Sequence, residues 1–236
     1  MNPRRHSSAH VFVDHLGDTI DLSDETAHHL ARVLRLRDGD PVTVSDGAGH
    51  WQPTVVTDTG TAIRLESAGD VVHEPRRHEP LTLATAMPKG DRLDWLVQKA
   101  TEIGVDRIAL LHTDRSVVRW KPDRVERRLG RLQRISDEAA RQSRRVWRVA
   151  VDAPVPADIV LAGAAVAEPG GRELRPADSV VAVGPEGGWS DTELQRASVR
   201  IDLGPNVLRT ETAALVIITL SVAFRHRILG LRDELD

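Results

Sequence analysis

Two glycine-bearing stretches hold the residues best suited to chemistry. The first, VVAVGPEGGWS, runs from Val180 to Ser190, and the second, IDLGPNVLRTETAAL, from Ile201 to Leu215. Each reads as an apolar β-like run, a Gly-Pro break and the start of a helix. Backbone N–H groups and helix N-termini converge at such junctions, which is where α/β proteins build ligand sites. Two junctions so close in sequence point to one ligand held by neighbouring loops. In the first, Gly184, Gly187 and Gly188 let the backbone approach a ligand closely. Glu186 is its one charged side chain, suited to hydrogen-bonding ribose or amine groups or to balancing a positive ligand. The same residues would also serve as a tight turn with an exposed glutamate. Neither GxxxxGK nor GxGxxG is present, which disfavours a purely phosphate-driven site.

The second loop places Arg209, Thr210, Glu211 and Thr212 at the start of an apolar helix. A carboxylate near a helix N-terminus gains about 0.3–1 kcal/mol from the helix dipole, so Glu211 has a structural account. Arg209 has none, because a cation is disfavoured there unless an anion or carbonyl faces it. Arg209 is therefore the first candidate for chemistry, and Glu211 the second.

Whole-chain features narrow the classes. The chain has no cysteine, which excludes disulfides and thiolate chemistry. No apolar run reaches about 18 uncharged residues, so no membrane span is expected. MNPRRHSSAHVFV lacks the apolar core of a secretory signal, and the cytoplasm is the expected compartment. No His/Asp/Glu cluster has metal-ligand spacing, and no metal is expected. The net charge of −3 argues against a uniformly basic nucleic-acid binder. The distribution is uneven, however: Arg115 to Arg148 holds 12 basic and 4 acidic residues, whereas Met1 to His78 holds 8 and 12. Such asymmetry fits either a polyanion contact on one face or a solvated arginine-rich helix.

These residues need elements to position them. The first third reads as β-rich. His10–Val13, Thr19–Leu22, Pro41–Ser45, His50–Thr57 and Thr61–Leu65 are strand candidates, with turns at Asp46-Gly47 and Asp58-Thr59-Gly60. A helix capped by Ser23 runs through Leu34. A polar stretch, Gly69 to Pro80, separates this β-barrel or sheet from the remainder of the chain. The boundaries are drawn at 1–74, a linker 75–80, and 81–236. From Leu81 strands and helices alternate, which predicts an α/β domain with a largely parallel sheet. Leu81–Met87, Arg107–Leu111, Ile159–Ala167, Ser179–Val183 and Arg200–Leu203 are the strand candidates. Asp91–Ile103 is a helix stopped by Gly104. Asp123–Arg145 buries Val125, Leu129, Leu132, Ile135 and Ala139 and shows arginines on its other side. Ser190 and Glu193 form a capping box. Thr212–Leu229, apolar on nearly all sides, is a helix buried against the sheet and a second subunit. Trp95, Trp120, Trp147 and Trp189 read as packing residues, and His28 and His29 as structural or simply exposed.

Taken together these segments resemble the ribosomal small subunit methyltransferase E family of SPOUT methyltransferases. Besides the two loops, the similar segments are KGDRLDWLVQKATEIGV (89–105), RSVVRW (115–120), RLQRISDEAARQSRR (131–145) and HHLARVLRLRDGD (28–40). The resemblance covers nearly the whole chain. It implies a trefoil-knot α/β methyltransferase domain behind an N-terminal PUA-like β-barrel that helps bind RNA. It implies a homodimer that takes S-adenosylmethionine as cofactor and acts on 16S rRNA of the small ribosomal subunit, methylating N3 of one uridine in the decoding region. The cofactor loops it implies are Gly184, Pro185, Glu186, Gly187 and Gly188, with Leu203, Gly204, Val207, Leu208, Arg209 and Thr210. Arg127, Arg128, Arg131, Arg134, Arg141, Arg144 and Arg145 would meet RNA phosphates. Asn206 stands where the family usually has arginine, and Arg144 where it often has glycine. A SPOUT enzyme acting on another base or a ribose 2′-OH, and a non-catalytic assembly factor, are the competing readings.

Overall fold

The computed structural model describes residues 3–58, 63–76 and 78–228. Thr59 and Gly60 of a turn candidate, Thr61 at a strand start and Leu229 at a helix end lie outside them. The chain forms two compact units: Met1–Arg77 with Glu138–Arg148, and His78–Asp137 with Val149–Asp236. Among the described residues no helix is long and apolar enough to cross a membrane.

The first unit contains α1 (Pro3–His6), β1 (Ala9–Phe12), β2 (Thr19–Ile20), α2 (Asp24–His28), β3 (Pro41–Ser45), β4 (His50–Asp58), β5 (Ile63–Ser67) and β6 (Val72–His73). The sheet order is β1-β3-β4-β5-β2, with β6 paired to β4. Ser23 caps α2 by accepting from the Thr26 N–H, and the helix loosens into a π turn over His29–Val33. One face of the sheet buries Val11, Ile20, Val42, Val44, Val56 and Leu65 around Leu30. The other face buries polar residues of the same strands, which is tolerated only because each finds a partner. His10 Nε2 lies 2.9 Å from the Arg145 carbonyl, which can only accept. The Nε2 proton is thereby fixed, and Nδ1 accepts from the Thr43 hydroxyl at 2.9 Å. Ser45 Oγ donates to the His50 carbonyl at 2.8 Å, with the Val146 carbonyl 3.1 Å away. Burial, ahead of the nearby Arg4 and Arg144 charges, lowers the His10 pKa to about 4. The polar stretch after residue 69 is not wholly a linker. Glu74 takes Nη2 of Arg4 at 2.7 Å and the Trp51 indole N–H at 2.9 Å, and its carbonyl takes the Trp147 indole N–H at 3.1 Å.

The second unit holds β7 (Thr82–Ala86), α3 (Arg92–Ile103), β8 (Arg107–His112), α4 (Pro122–Gln142, whose last turn belongs to the first unit), β9 (Ala150–Pro156), α5 (Asp158–Leu161), β10 (Ala165–Arg172), β11 (Val180–Val183), α6 (Asp191–Arg196), β12 (Val199–Ile201) and α7 (Thr210–Arg225). Its sheet runs β12-β10-β11-β7-β8-β9, and every pairing is parallel. Alternate residues serve two cores, as parallel strands covered on both faces require. Leu83, Ile108, Leu110 and Val181 pack with Leu96, Val97, Ala100, Leu132, Ile217 and Ile218. Ala84, Leu111 and Ala182 pack with Leu161, Val166 and Trp189 on the opposite face. The strand expected over Ile159–Ala167 is instead the short helix α5 followed by the start of β10. Its apolar residues fill the second core as a helical turn, and periodicity alone does not separate the two. β9 has no counterpart among the strand candidates, because charged and proline residues interrupt its apolar pattern. Because the strands are parallel, the loops after β7, β8, β10, β11 and β12 all leave at one carboxyl edge, where open α/β sheets bind ligands.

Candidate active site

The two glycine loops meet at that edge. Thr210 Oγ1, on the first turn of α7, donates to the Gly184 carbonyl at 3.0 Å and ties one loop to the other. Between them lies a cleft of about 310 Å³, within the size range of small-molecule sites. Gly184, Pro185, Glu186 and Gly188 line it from the first loop, and Leu203, Gly204, Asn206, Val207, Leu208 and Thr210 from the second. Gly187 and Arg209 do not. Gly187 turns to the outside, where a Cβ would lie 3.3 Å from the Arg115 Cβ. Arg209 is the exposed N-cap of α7, and its side chain makes no hydrogen bond or ion pair to any described residue.

Sequence reasoning missed the third wall. Ala167, Glu168 and Pro169 come from the irregular middle of β10, and Asp202 and Trp189 complete the lining. Trp189 is 3 % exposed and donates its indole N–H to the Ala167 carbonyl at 3.1 Å. Its ring forms the seat of Gly184, where a Cβ would come within 2.9 Å of it. Asp202 takes the Gly170 N–H and the Gly204 N–H, each at 2.8 Å. These bonds, Gly170 first, hold its carboxyl below the usual range. They also fix Gly204 at φ +109°, a conformation side-chain-bearing residues rarely adopt. The Asp-x-Gly order within DLGPN, Asp202 to Asn206, is the signal that could have found this turn. The cleft thus carries three carboxylates, Glu168, Glu186 and Asp202, and among the described residues no Lys, Arg or His lines it.

Beside the cleft, Arg92 at the start of α3 sits between two of the loop acids. Its Nη1 is 3.6 Å from Glu186 Oε1 and 3.6 Å from Glu211 Oε1. Glu211 is 8 % exposed, and its Oε2 is buried without a hydrogen-bond partner. No local signal marks Arg92, since only the fold brings residue 92 to residue 211. The capping box of α6 is present, with Ser190 N–H donating to Glu193 Oε2 at 2.8 Å.

The seven arginines expected at RNA separate into three groups. Arg127, Arg128, Arg131 and Arg134 are exposed on α4 and line a groove of about 620 Å³ with Pro88, Gly90, Asp91, Asp94 and Trp120. Arg131 pairs with Asp94, and the Arg128 guanidinium lies 5.4 Å from the Trp120 ring centre. Arg141 lines a different groove, in the first unit, with Phe12, Asp14, His28, His29 and Arg148. Arg144, at φ +58°, donates to the Ser7 hydroxyl at 2.7 Å and the Ser7 carbonyl at 2.6 Å, and Arg145 lends its carbonyl to His10. Those two residues hold the first unit together.

The cleft lies at the carboxyl edge of a parallel sheet and the arginine-lined groove in the same unit; the match to a family model places the chain among RNA methyltransferases. Residues 75–222 match the RNA methyltransferase domain family, and residues 22–63 the RNA methyltransferase PUA domain family. The chain belongs to the ribosomal RNA small subunit methyltransferase E family. It is 35% identical to the family member of Synechocystis over 84% of this chain and 71% of that one. It is 31% identical to that of Mycobacterium bovis over 87% of each. Among solved structures, the family enzyme from Neisseria gonorrhoeae bound to S-adenosylmethionine superposes with TM-score 0.76 at 29% identity, covering 91% of this chain and 96% of that one. A putative methyltransferase from Legionella pneumophila, in complex with the same cofactor, gives 0.77 at 26% identity with the same coverage. The α/β class and the PUA domain implied by the resemblance are both found.

Proposed function

We propose that the protein transfers a methyl group from S-adenosylmethionine to N3 of one uridine in the decoding region of 16S rRNA, as a cytoplasmic homodimer. The charge of the cleft carries the reading. A sulfonium with an amine is cationic, and three lining carboxylates, of which only Glu186 meets a cation among the described residues (Arg92, outside the lining), suit it, whereas a phosphate-bearing cofactor would be repelled. Backbone groups at Gly184, Pro185, Gly188 and Gly204 would hold the cofactor's polar parts. Leu203, Val207, Leu208 and Ala213 would hold its apolar ones. Bound there, it supplies an electrophilic methyl group.

The chain's own residues then have distinct tasks. Uracil N3 carries a proton at neutral pH, so attack requires its loss and spreads negative charge onto O2 and O4. Arg209, flanked by cleft residues Leu208 and Thr210 and engaged by no partner among the described residues, is assigned to that charge. Glu211, a candidate for chemistry from the sequence, is assigned to holding Arg92. N3 lies on the Watson–Crick edge, so the base must be unpaired or extruded. The groove arginines 127, 128, 131 and 134 are assigned to the flanking phosphates. Dimerisation is supported by α7, whose Thr212 and Thr219 are exposed and whose Leu215, Val216 and Leu220 are only partly covered, and by Val207, 99 % exposed.

Mass mapping of 16S rRNA from a deletion strain, with and without this protein restored, tests the assignment. Loss and return of one methyl on a decoding-region uracil ring is the expected result. A methyl lost from a ribose or from another RNA would refute it. Calorimetry with S-adenosylmethionine separates an enzyme from an assembly factor: the expected result is one site per chain.

A further inference from the structure

We infer that Arg115, on the outer face of the first glycine loop, is an RNA-phosphate contact of the active site; this rests on the reading of the chain as an RNA methyltransferase. Arg115 is exposed, and its Nη1 donates to the Gly187 carbonyl at 3.1 Å. A guanidinium has five N–H donors, so most remain for a ligand. No carboxylate pairs with it among the described residues. The backbone that carries it is held firmly. The Asp114 N–H donates to Glu193 Oε1 at 3.0 Å, Ser190 Oγ donates to Asp114 Oδ2 at 2.5 Å, and Arg119 donates to the Thr113 carbonyl at 3.3 Å. A cation with donors to spare on a fixed base is a preorganised anion contact.

Its position says which anion. The inner face of the loop lines an acid-rich cleft that repels phosphate, while Gly187 turns its outer face to Arg115. A nucleotide whose base approaches the cofactor would find Arg115, a cation without a carboxylate partner among the described residues, on the outer side of this loop. Val117, 73 % exposed two residues on, gives that strand an apolar surface for a ribose or base face. The same segment keeps His112 Nδ1, Thr113 Oγ1 and Ser116 Oγ buried without partners. Three such groups in five residues break the rule that buried polar atoms are paired, and such breaks concentrate where function shapes the chain.

The test uses the full chain, an RNA oligonucleotide carrying the target region, and a salt titration of binding. R115A should weaken RNA binding about tenfold at low salt and lower the salt slope by roughly one, with cofactor affinity unchanged within about twofold. R115K keeps the charge but not the reach to Gly187, and should retain RNA binding within about threefold. Unchanged RNA affinity and slope in R115A would overturn the inference. So would loss of cofactor affinity in both variants, which would make Arg115 a brace for Gly187. If the unsubstituted chain fails to bind the RNA, the methyltransferase reading falls first and this contact with it.

Discussion

The cleft and the α4 groove lie in one unit yet solve recognition in opposite ways. The cleft is made of backbone: glycines in tight or left-handed conformations, a carbonyl tied by Thr210, and one carboxylate, Asp202, held by N–H groups. The groove is made of long side chains on one helix, with four guanidiniums and two aspartates. Rigid backbone recognises one small cation, and a single change spoils it. Long arginines each lose up to about 2 kcal/mol of rotamer freedom on contact, so they share the work and each matters little alone.

The largest break in the comparison should come from removing the groove as a whole. Replacing Arg127, Arg128, Arg131 and Arg134 by alanine should weaken RNA binding roughly 10³-fold at low salt and reduce the salt slope by about three, in a filter or fluorescence titration. Cofactor affinity by calorimetry should not move. Acid sharpens the comparison next. His10 has a folded pKa of about 4 against an ordinary 6.5. Its neutral form is the folded one, so its contribution is complete above pH 6.5 and is lost as pH falls toward 4, worth about 3 kcal/mol at the bottom of that window. Asp202, with its carboxyl lowered, stays largely ionised over the same window, so the cleft keeps that charge while the first unit weakens. Urea melts at pH 7, 5.5 and 4 should show the loss, and H10Q should flatten it.

Smaller effects test the cleft itself. E186K should lower cofactor affinity about 10- to 100-fold by putting a cation beside a cation, with RNA affinity equal or better. T210V removes the bond to the Gly184 carbonyl and should cost about 1 kcal/mol, near fivefold in cofactor affinity. R131A, which also frees Asp94, should change RNA binding only about two- to threefold. A larger loss from this single change than from T210V in the cleft would contradict the distributed groove.

The glycine loops were legible because Gly-Pro breaks after apolar runs are local signals. So were the capping box at Ser190 and the helix stop at Gly104. The hidden parts depended on distance along the chain. Glu168 reaches the cleft only through the β10 pairing with β11, and Arg92 meets Glu211 only because α3 packs on α7. Arg144 shows a different limit. On the apolar pattern it reads as one more arginine of the same helix as Arg134, yet α4 ends at Gln142 and Arg144 turns at φ +58° to close on Ser7.

The stretch Glu138–Arg148 has a consequence for the order of events during synthesis. It supplies the carbonyl that His10 requires and the guanidinium that closes on Ser7, so the first unit is incomplete when residue 77 has been made. Its sheet must wait while the whole of β7, α3 and β8 emerges. A ribosome adds about 5–20 residues per second, so for several seconds those buried polar groups are exposed to water and to chaperones. A truncation at residue 77, which looks natural on a linear map, makes that transient state permanent.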